Sequence, residues 1–246
     1  MTTLRSLLFN LYFFTWTTLC ALFGVPFLLM GYRIANAYGR WWSGTVLWGL
    51  RLICGVRGRV EGLEQHLPPG ASIVAMKHQS TWETLFAPQI LDAPAFVVKR
   101  ELTRIPFFGW YLLQCRMLPV DRKGGAGALR AMVQAARARK AEARPIVIYP
   151  EGTRTAPGIS APYHPGVAAL YQALDLPVVP VALNSGLHWG RHAFRKRPGT
   201  IVMRFLEPIP PGLDRRLFLA ELQRRIESAS TALLTEGGPT PIRNAS

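Results

Sequence analysis

The residues best placed to do chemistry are a histidine and a carboxylate, His78 and Glu83, in the segment His78-Gln79-Ser80-Thr81-Trp82-Glu83. A neutral imidazole can take the proton of an alcohol. It does so better when a carboxylate holds its other nitrogen in the right tautomer and stabilises the imidazolium that forms. No serine nucleophile is needed if the hydroxyl that loses its proton is itself the attacking group. Spacing limits where such a pair can sit: within one helix, five residues turn through about 500°, which points the two side chains apart. Across a strand-to-helix turn they can converge. The apolar run Ser72–Met76 ends at Lys77-His78 and a helix-like stretch follows Thr81. The sequence therefore puts His78 at a strand end and Glu83 in a first helical turn, close to the positive potential of the helix N-terminus. A plainer reading of the same residues stands beside this one: Ser80-x-x-Glu83 is also a capping box, which needs no catalysis.

Two later segments carry groups suited to an anionic substrate. Lys99-Arg100-Glu101-Leu102 follows an apolar run and leads into Ile105-Pro106-Phe107-Phe108-Gly109. Adjacent cations at a strand end can bind phosphate, and Pro106 and Gly109 would fix the turn and allow close approach. Tyr149-Pro150-Glu151-Gly152-Thr153-Arg154-Thr155 follows Ile146-Val147-Ile148. Gly152 permits backbone conformations closed to other residues, and Arg154 offers a fork that can hold a phosphate with two bonds. Taken singly, the first could be a surface charge cluster and the second an ordinary turn with a salt bridge. Val178-Val179-Pro180-Val181 is, alone, no more than a strand with a proline. No metal site is expected: Cys20, Cys54 and Cys115 form no CxxC pair, and His188 and His192 are separated by Gly190 with no HExxH pattern.

The elements that must position these groups alternate. Strands are expected at Val56–Val60, Ser72–Met76, Ala95–Val98, Met117–Val120, Ile146–Tyr149, Val178–Ala182 and Thr200–Leu206, and helices at Thr81–Ile90, Pro106–Gln114, Gly125–Ala143, Pro162–Ala173 and Asp214–Leu234. This is an α/β pattern, read as a mixed sheet flanked by helices with an N-terminal membrane-embedded helical segment. Residues 1–55 are expected to be anchoring helices, 56–236 the α/β domain and 237–246 a disordered tail.

The N-terminal reading rests on the stretch from Ser6 to Tyr32, which has no charged residue and is long enough to cross a bilayer, though Gly24 and Pro26 interrupt it. A second stretch from Trp41 to Ile53 contains only Arg51. A single span and a helical hairpin dipping into one leaflet both fit, the latter with Trp41, Trp42 and Trp48 at the head groups. A cleaved signal peptide does not fit a run this long and aromatic. Arg33, Arg40, Arg51, Arg57 and Arg59 follow the apolar run and only Arg5 precedes it, which places the main domain on the cytoplasmic side. The net charge of +15 calls for an anionic partner. With this apolar N-terminus that partner is membrane lipid, not nucleic acid.

Together the segments resemble the glycerolipid acyltransferases, specifically the 1-acyl-sn-glycerol-3-phosphate acyltransferases. That family carries, in order, a His-x4-Asp block, a Lys-x-Glu-Leu…Pro-x-x-Gly block, Pro-Glu-Gly-Thr-Arg and an apolar Val-Pro-Val block. Here these correspond to His78 and Glu83, to Lys99, Glu101, Leu102, Pro106 and Gly109, to Pro150 through Arg154, and to Val179-Pro180-Val181. Two departures stand out: Glu83 occupies the position of the usual Asp, and His164-Pro165 stand before Gly166 where the family tends to have lysines.

The resemblance implies that His78 deprotonates the sn-2 hydroxyl of a lysophospholipid and that Glu83 orients His78. Lys99, Arg100 and Arg154 would hold the acceptor's phosphate. Pro106, Gly109, Glu151, Gly152 and Thr153 would shape the pocket. It implies an acyl thioester donor, acyl-CoA or acyl-carrier protein, with no cofactor and no metal, acting at the inner membrane from the cytoplasmic side. Another lysolipid acceptor, such as lyso-ornithine lipid, and a non-enzymatic basic membrane-binding protein are the competing readings.

Overall fold

The computed structural model describes residues 1–122 and 124–236. The chain opens with a helical hairpin. Helix α1 (Thr2–Phe23) and the single turn α2 (Val25–Leu28) lead through Gly31 into α3 (Tyr32–Cys54). Buried Gly24 marks the break: a Cβ there would meet the ring of Tyr38 and the Tyr111 hydroxyl at 2.4 and 2.3 Å. Polar side chains stitch α1 to α3, with Tyr12 Oη donating to the Thr45 carbonyl (2.8 Å) and Trp16 Nε1 to Thr45 Oγ1 (2.8 Å).

Among the described residues, the strands that follow form one seven-stranded sheet. Its strands are β1 (Val56–Glu61), β2 (Ile73–Met76), β3 (Ala95–Lys99), β4 (Leu118–Val120), β5 (Ile146–Ile148), β6 (Val178–Leu183) and β7 (Gly199–Phe205). Their order is β1-β7-β6-β2-β5-β3-β4, and every neighbouring pair is parallel except β6 with β7. The central register aligns Ile73 of β2 with Ile146 on one side and Val178 on the other. The short helix α4 (Leu63–His66) follows β1, and the larger connections are α5 (Trp82–Ile90), α6 (Phe108–Gln114), α7 (Gly125–Ala141), α8 (Pro165–Leu174) and the closing helix α9 (Arg215–Glu236).

Period-two alternation divides the core into two layers. Val74, Met76, Val147, Val179 and Val181 face the hairpin and α5, packing with Phe9, Val46, Leu50, Trp82 and Leu85. Ile73, Ala75, Ile146, Ile148 and Val178 face α7, α8 and α9, packing with Met132, Ala136, Leu170, Phe218 and Leu222. Met132 and Ala136 are the buried stripe of α7, as its sequence pattern predicts.

The hairpin belongs to the first of these cores and is laid along the domain. Near its start, Ser6 Oγ accepts the Lys196 amide (2.9 Å) and Phe9 sits edge-on to Trp189 (5.5 Å). Near its end, the Ala21 carbonyl accepts from Tyr111 of α6 (3.4 Å). One detail corrects the sequence reading: Trp41 and Trp48 are exposed, but Trp42 is turned inward onto the core and does not present its ring outward with them. On a helix, successive residues point about 100° apart. Trp42 shares a face with Val46, whereas Trp41 and Trp48 share a different one.

Candidate active site

Three adjacent parallel strands, β6, β2 and β5, end side by side, and the loops leaving them form the site. This carboxyl edge is where α/β sheets place ligands. The loop after β2 carries His78. Its backbone is gripped from both sides by the turn after β5. Glu151 Oε2 accepts the His78 amide (3.1 Å), and the Thr155 amide donates to the His78 carbonyl (2.8 Å). The ring stacks on Tyr149, with centroids 3.9 Å apart and planes inclined by 19°.

His78 and Glu83 meet, as the strand-to-helix placement predicts. His78 Nδ1 lies 2.9 Å from Glu83 Oε1. The same oxygen accepts the amides of Gln79 (2.7 Å) and Ser80 (2.6 Å), and Ser80 Oγ accepts the Trp82 amide (3.0 Å). The hydrogen bonds that close the turn into α5 and the one that orients the histidine are therefore one arrangement, not alternatives. Glu83 is fully buried, and its Oε2 accepts from Ser185 Oγ (2.9 Å). With a proton on Nδ1 shared with the carboxylate, Nε2 is the acceptor, and the ring forms part of a cavity wall.

That cavity measures about 1360 Å³. At one end it is bounded by His78, Tyr149 and Gly152, beyond the carboxyl ends of the strands. From there it runs beside Phe96, Val97 and Val98 of β3 to Asp92, Glu142 and Arg144, which precede β3 and β5. Hairpin residues such as Phe13 and Ala35 wall it on the outside. Its lining is predominantly apolar, so it suits a hydrocarbon chain lying along the sheet from the histidine. Arg144 closes the far end, donating to the carbonyls of Ala93 (2.7 Å) and Cys115 (3.0 Å), while Arg116 lies over the Tyr32 ring at 4.1 Å.

The other expected site residues divide. Lys99 lines the cavity, exposed and paired with Glu101 at 3.2 Å. Gly152 also lines it, at φ +63°, and a Cβ there would lie 2.6 Å from the His164 ring, so the close approach requires glycine. Arg154 is half-buried and donates to Thr81 Oγ1 (3.0 Å), tying its turn to the histidine loop. Arg100 and Thr153 are exposed and lie outside the cavity lining. Pro106 lies in the turn before α6 and Gly109 in its first turn, where a Cβ on Gly109 would lie 2.2 Å from the Thr103 carbonyl, and neither lines the cavity.

Glu151 sits beneath the site. It ion-pairs with buried Lys77 (2.9 Å), which also reaches both oxygens of Glu227 on α9 (2.8 Å each) and the Ile159 carbonyl (3.0 Å). Tyr163 Oη donates to Glu227 (3.0 Å). Burial pushes the Glu151 carboxyl above the usual range, and Glu227 adds to the effect while Lys77 opposes it. Burial likewise raises the Tyr149 phenol, with Glu83 and Glu151 contributing. Sequence reasoning missed Lys77, Tyr149, Ser185 and Glu227, whose partners come together only through the strand order.

Residues 57–184 match the sequence model of the family described as Acyltransferase, and the chain belongs to that family. It is 32% identical over 242 residues to the 1-acyl-sn-glycerol-3-phosphate acyltransferase of Pseudomonas aeruginosa, a match spanning 98% of this chain and 93% of that one. The enzyme of the same name from Limnanthes douglasii is 29% identical over 75% of this chain and 64% of its own length. The crystal structure of the 1-acyl-sn-glycerophosphate acyltransferase of Thermotoga maritima shares the fold. Its TM-score is 0.76 at 21% sequence identity, over 95% of this chain and 98% of that one.

Proposed function

We propose that this enzyme transfers an acyl group from a thioester, acyl-CoA or acyl-carrier protein, to the sn-2 hydroxyl of 1-acyl-glycerol-3-phosphate, giving phosphatidic acid. The observation that carries the reading is a histidine whose Nδ1 is held by a buried carboxylate and whose ring walls a long, mainly apolar cavity. The activity for which the relatives are named agrees with it. Nε2 of His78 takes the hydroxyl proton as the alcohol oxygen attacks the thioester carbonyl. The tetrahedral intermediate collapses, the C–S bond breaks, and the thiolate leaves with the proton carried by the imidazolium. Glu83 stabilises the imidazolium between those steps. Lys99 at the cavity and Arg154 beside Thr81 hold the acceptor's phosphate, and Arg100 adds positive potential at the mouth. Gly152 lets its loop approach the substrate, and Glu151 supports the loop from below.

The enzyme sits on a membrane through one leaflet, facing the cytoplasm at the inner membrane. Helix α1 is long and apolar enough to cross a bilayer, but it touches the domain near both ends, which favours a hairpin lying in the interface over a span. Exposed Leu8, Leu11, Phe14, Leu22, Trp41 and Trp48 give it an apolar outer face. Phe108, Trp110 and Leu113 of the adjoining α6 extend that face toward the cavity.

The test is turnover of purified enzyme with lysophosphatidate and acyl thioesters. His78→Ala should abolish acyl transfer while binding to vesicles is retained; wild-type turnover in that variant would overturn the mechanism. Equal rates with a lysolipid lacking phosphate would overturn the roles of Lys99 and Arg154 and favour another acceptor.

A further inference from the structure

A buried carboxylate has to find a donor for each oxygen, and on Glu83 the burden is unequal. Oε1 is saturated: His78 Nδ1 and the amides of Gln79 and Ser80 all lie within 2.9 Å of it. Among the described residues Oε2 has one donor, the hydroxyl of Ser185 at 2.9 Å, contributed from 102 positions along the chain. Ser185 is itself fully buried and begins the 3-10 turn Ser185–Leu187 that leaves β6. That turn is fastened to the histidine loop a second time, because the Gly186 amide donates to Gln79 Oε1 at 3.0 Å. It also has little freedom to drift, since a Cβ on Gly186 would come within 2.7 Å of Pro157 and 3.2 Å of Gln79. On the strand side, buried Asn184 accepts the Val202 amide of β7 at 2.8 Å. The donor to Oε2 is thus held by the sheet, independently of α5, on which Glu83 rides.

We infer that Ser185 is a positioning residue for acyl transfer, which anchors Oε2 of Glu83 so that Oε1 stays on His78 Nδ1. The inference rests on the catalytic reading of His78 and Glu83. It also accounts for a glutamate at this position. The side chain spans from α5 to the end of β6 while still reaching His78. Ser185 lies one residue beyond the segment matching the family model and outside every block that carried the sequence-level resemblance.

The experiment is a double-mutant cycle on the full-length enzyme, reading kcat and KM for acceptor and donor. Ser185→Ala leaves a buried carboxylate oxygen without a donor and should lower kcat about tenfold with both KM values within about twofold of wild type. Ser185→Cys keeps a side chain of similar size but donates weakly, and should fall between the two. The decisive arm pairs Ser185→Ala with Glu83→Gln. Because Ser185 acts through the carboxylate, adding Ser185→Ala to Glu83→Gln should change kcat less than about twofold. A full tenfold loss in that background, or wild-type kcat in Ser185→Ala, overturns the inference. So does a wild-type kcat in Ser185→Cys alongside a loss in Ser185→Ala, which would mark a packing role. If Glu83→Gln alone turns over like wild type, the His78–Glu83 reading itself has failed.

Discussion

Replacing Lys77 by methionine tests whether a buried charge cluster holds the loop that carries His78. Lys77 is 1% exposed and Glu151 0% at their side chains, while Glu227 keeps 19%. Lys77→Met leaves the apolar stem of the side chain and removes the only cation recorded on either carboxylate among the described residues. Breaking a buried pair from one side costs about 3–5 kcal/mol, because a desolvated charge is left uncompensated. Partial hydration of Glu227 points to the lower end. For a domain of this size each kcal/mol moves Tm by about 2–4 °C, so a drop of roughly 10 °C is expected.

The pH dependence has a definite sign. Glu151 already titrates above its ordinary value in the folded protein, and losing Lys77 raises it further. A carboxyl with a raised folded pKa contributes stability that is complete below the unfolded value of about 4.3 and is lost as pH climbs through the folded one. The gap in Tm between variant and wild type should therefore widen from mildly acidic to neutral pH. Adding Glu151→Gln, which still accepts the His78 amide, should restore much of the loss. Scanning calorimetry of detergent-solubilised protein at one scan rate reads all three. A Lys77→Met variant melting within about 2 °C of wild type, or a gap that shrinks with rising pH, would refute the reasoning.

Two further outcomes follow from the geometry. At Glu83, glutamine keeps an oxygen for the three donors on Oε1 but loses the charge, so kcat should fall about 100-fold or more with little change in melting, whereas aspartate should be intermediate. A ranking with glutamine above aspartate in steady-state assays would mean that Glu83 only caps α5. At the proposed membrane face, Phe108→Ser with Trp110→Ser removes two exposed aromatics. Binding to anionic vesicles in a sedimentation assay should weaken at least tenfold, at about 1.5–3 kcal/mol for a buried aromatic, and unchanged binding would remove α6 from the membrane face.

Much of this architecture was legible because its signals are local. Each of the seven strands is a short apolar or alternating run ended by a polar or glycine-containing turn, and each falls within two residues of its expected bounds. His78 and Glu83 were legible for the same reason, since five residues across a strand-to-helix turn need no knowledge of topology. The expected tail at 237–246 lies outside the described residues. What stayed hidden depends on which strands are neighbours. Nothing in the sequence says that β6 lies beside β2, so nothing announces that Ser185 reaches Glu83. Glu227 is 150 positions from Lys77 and meets it only because α9 packs across the sheet. The proposed hairpin likewise rests on distant contacts, Ser6 with Lys196 and Ala21 with Tyr111. Trp42 is the exception, a local signal that was available: its phase on α3 matches Val46, not Trp41 or Trp48.

The site also shows why a helix-capping pattern and a catalytic pair were hard to separate in the sequence. A capping carboxylate is fixed by backbone amides at a helix start, which is what an orienting carboxylate requires: a fixed position, burial and no need to move during turnover. Glu83 satisfies the amides of Gln79 and Ser80 with the oxygen that faces His78. Any displacement that would loosen its hold on the imidazole must also release the amides of Gln79 and Ser80 in the turn that enters α5. The stability of the turn into α5 thereby enforces the geometry of His78, the proposed base, and the loop between them can be short because one side chain serves both ends.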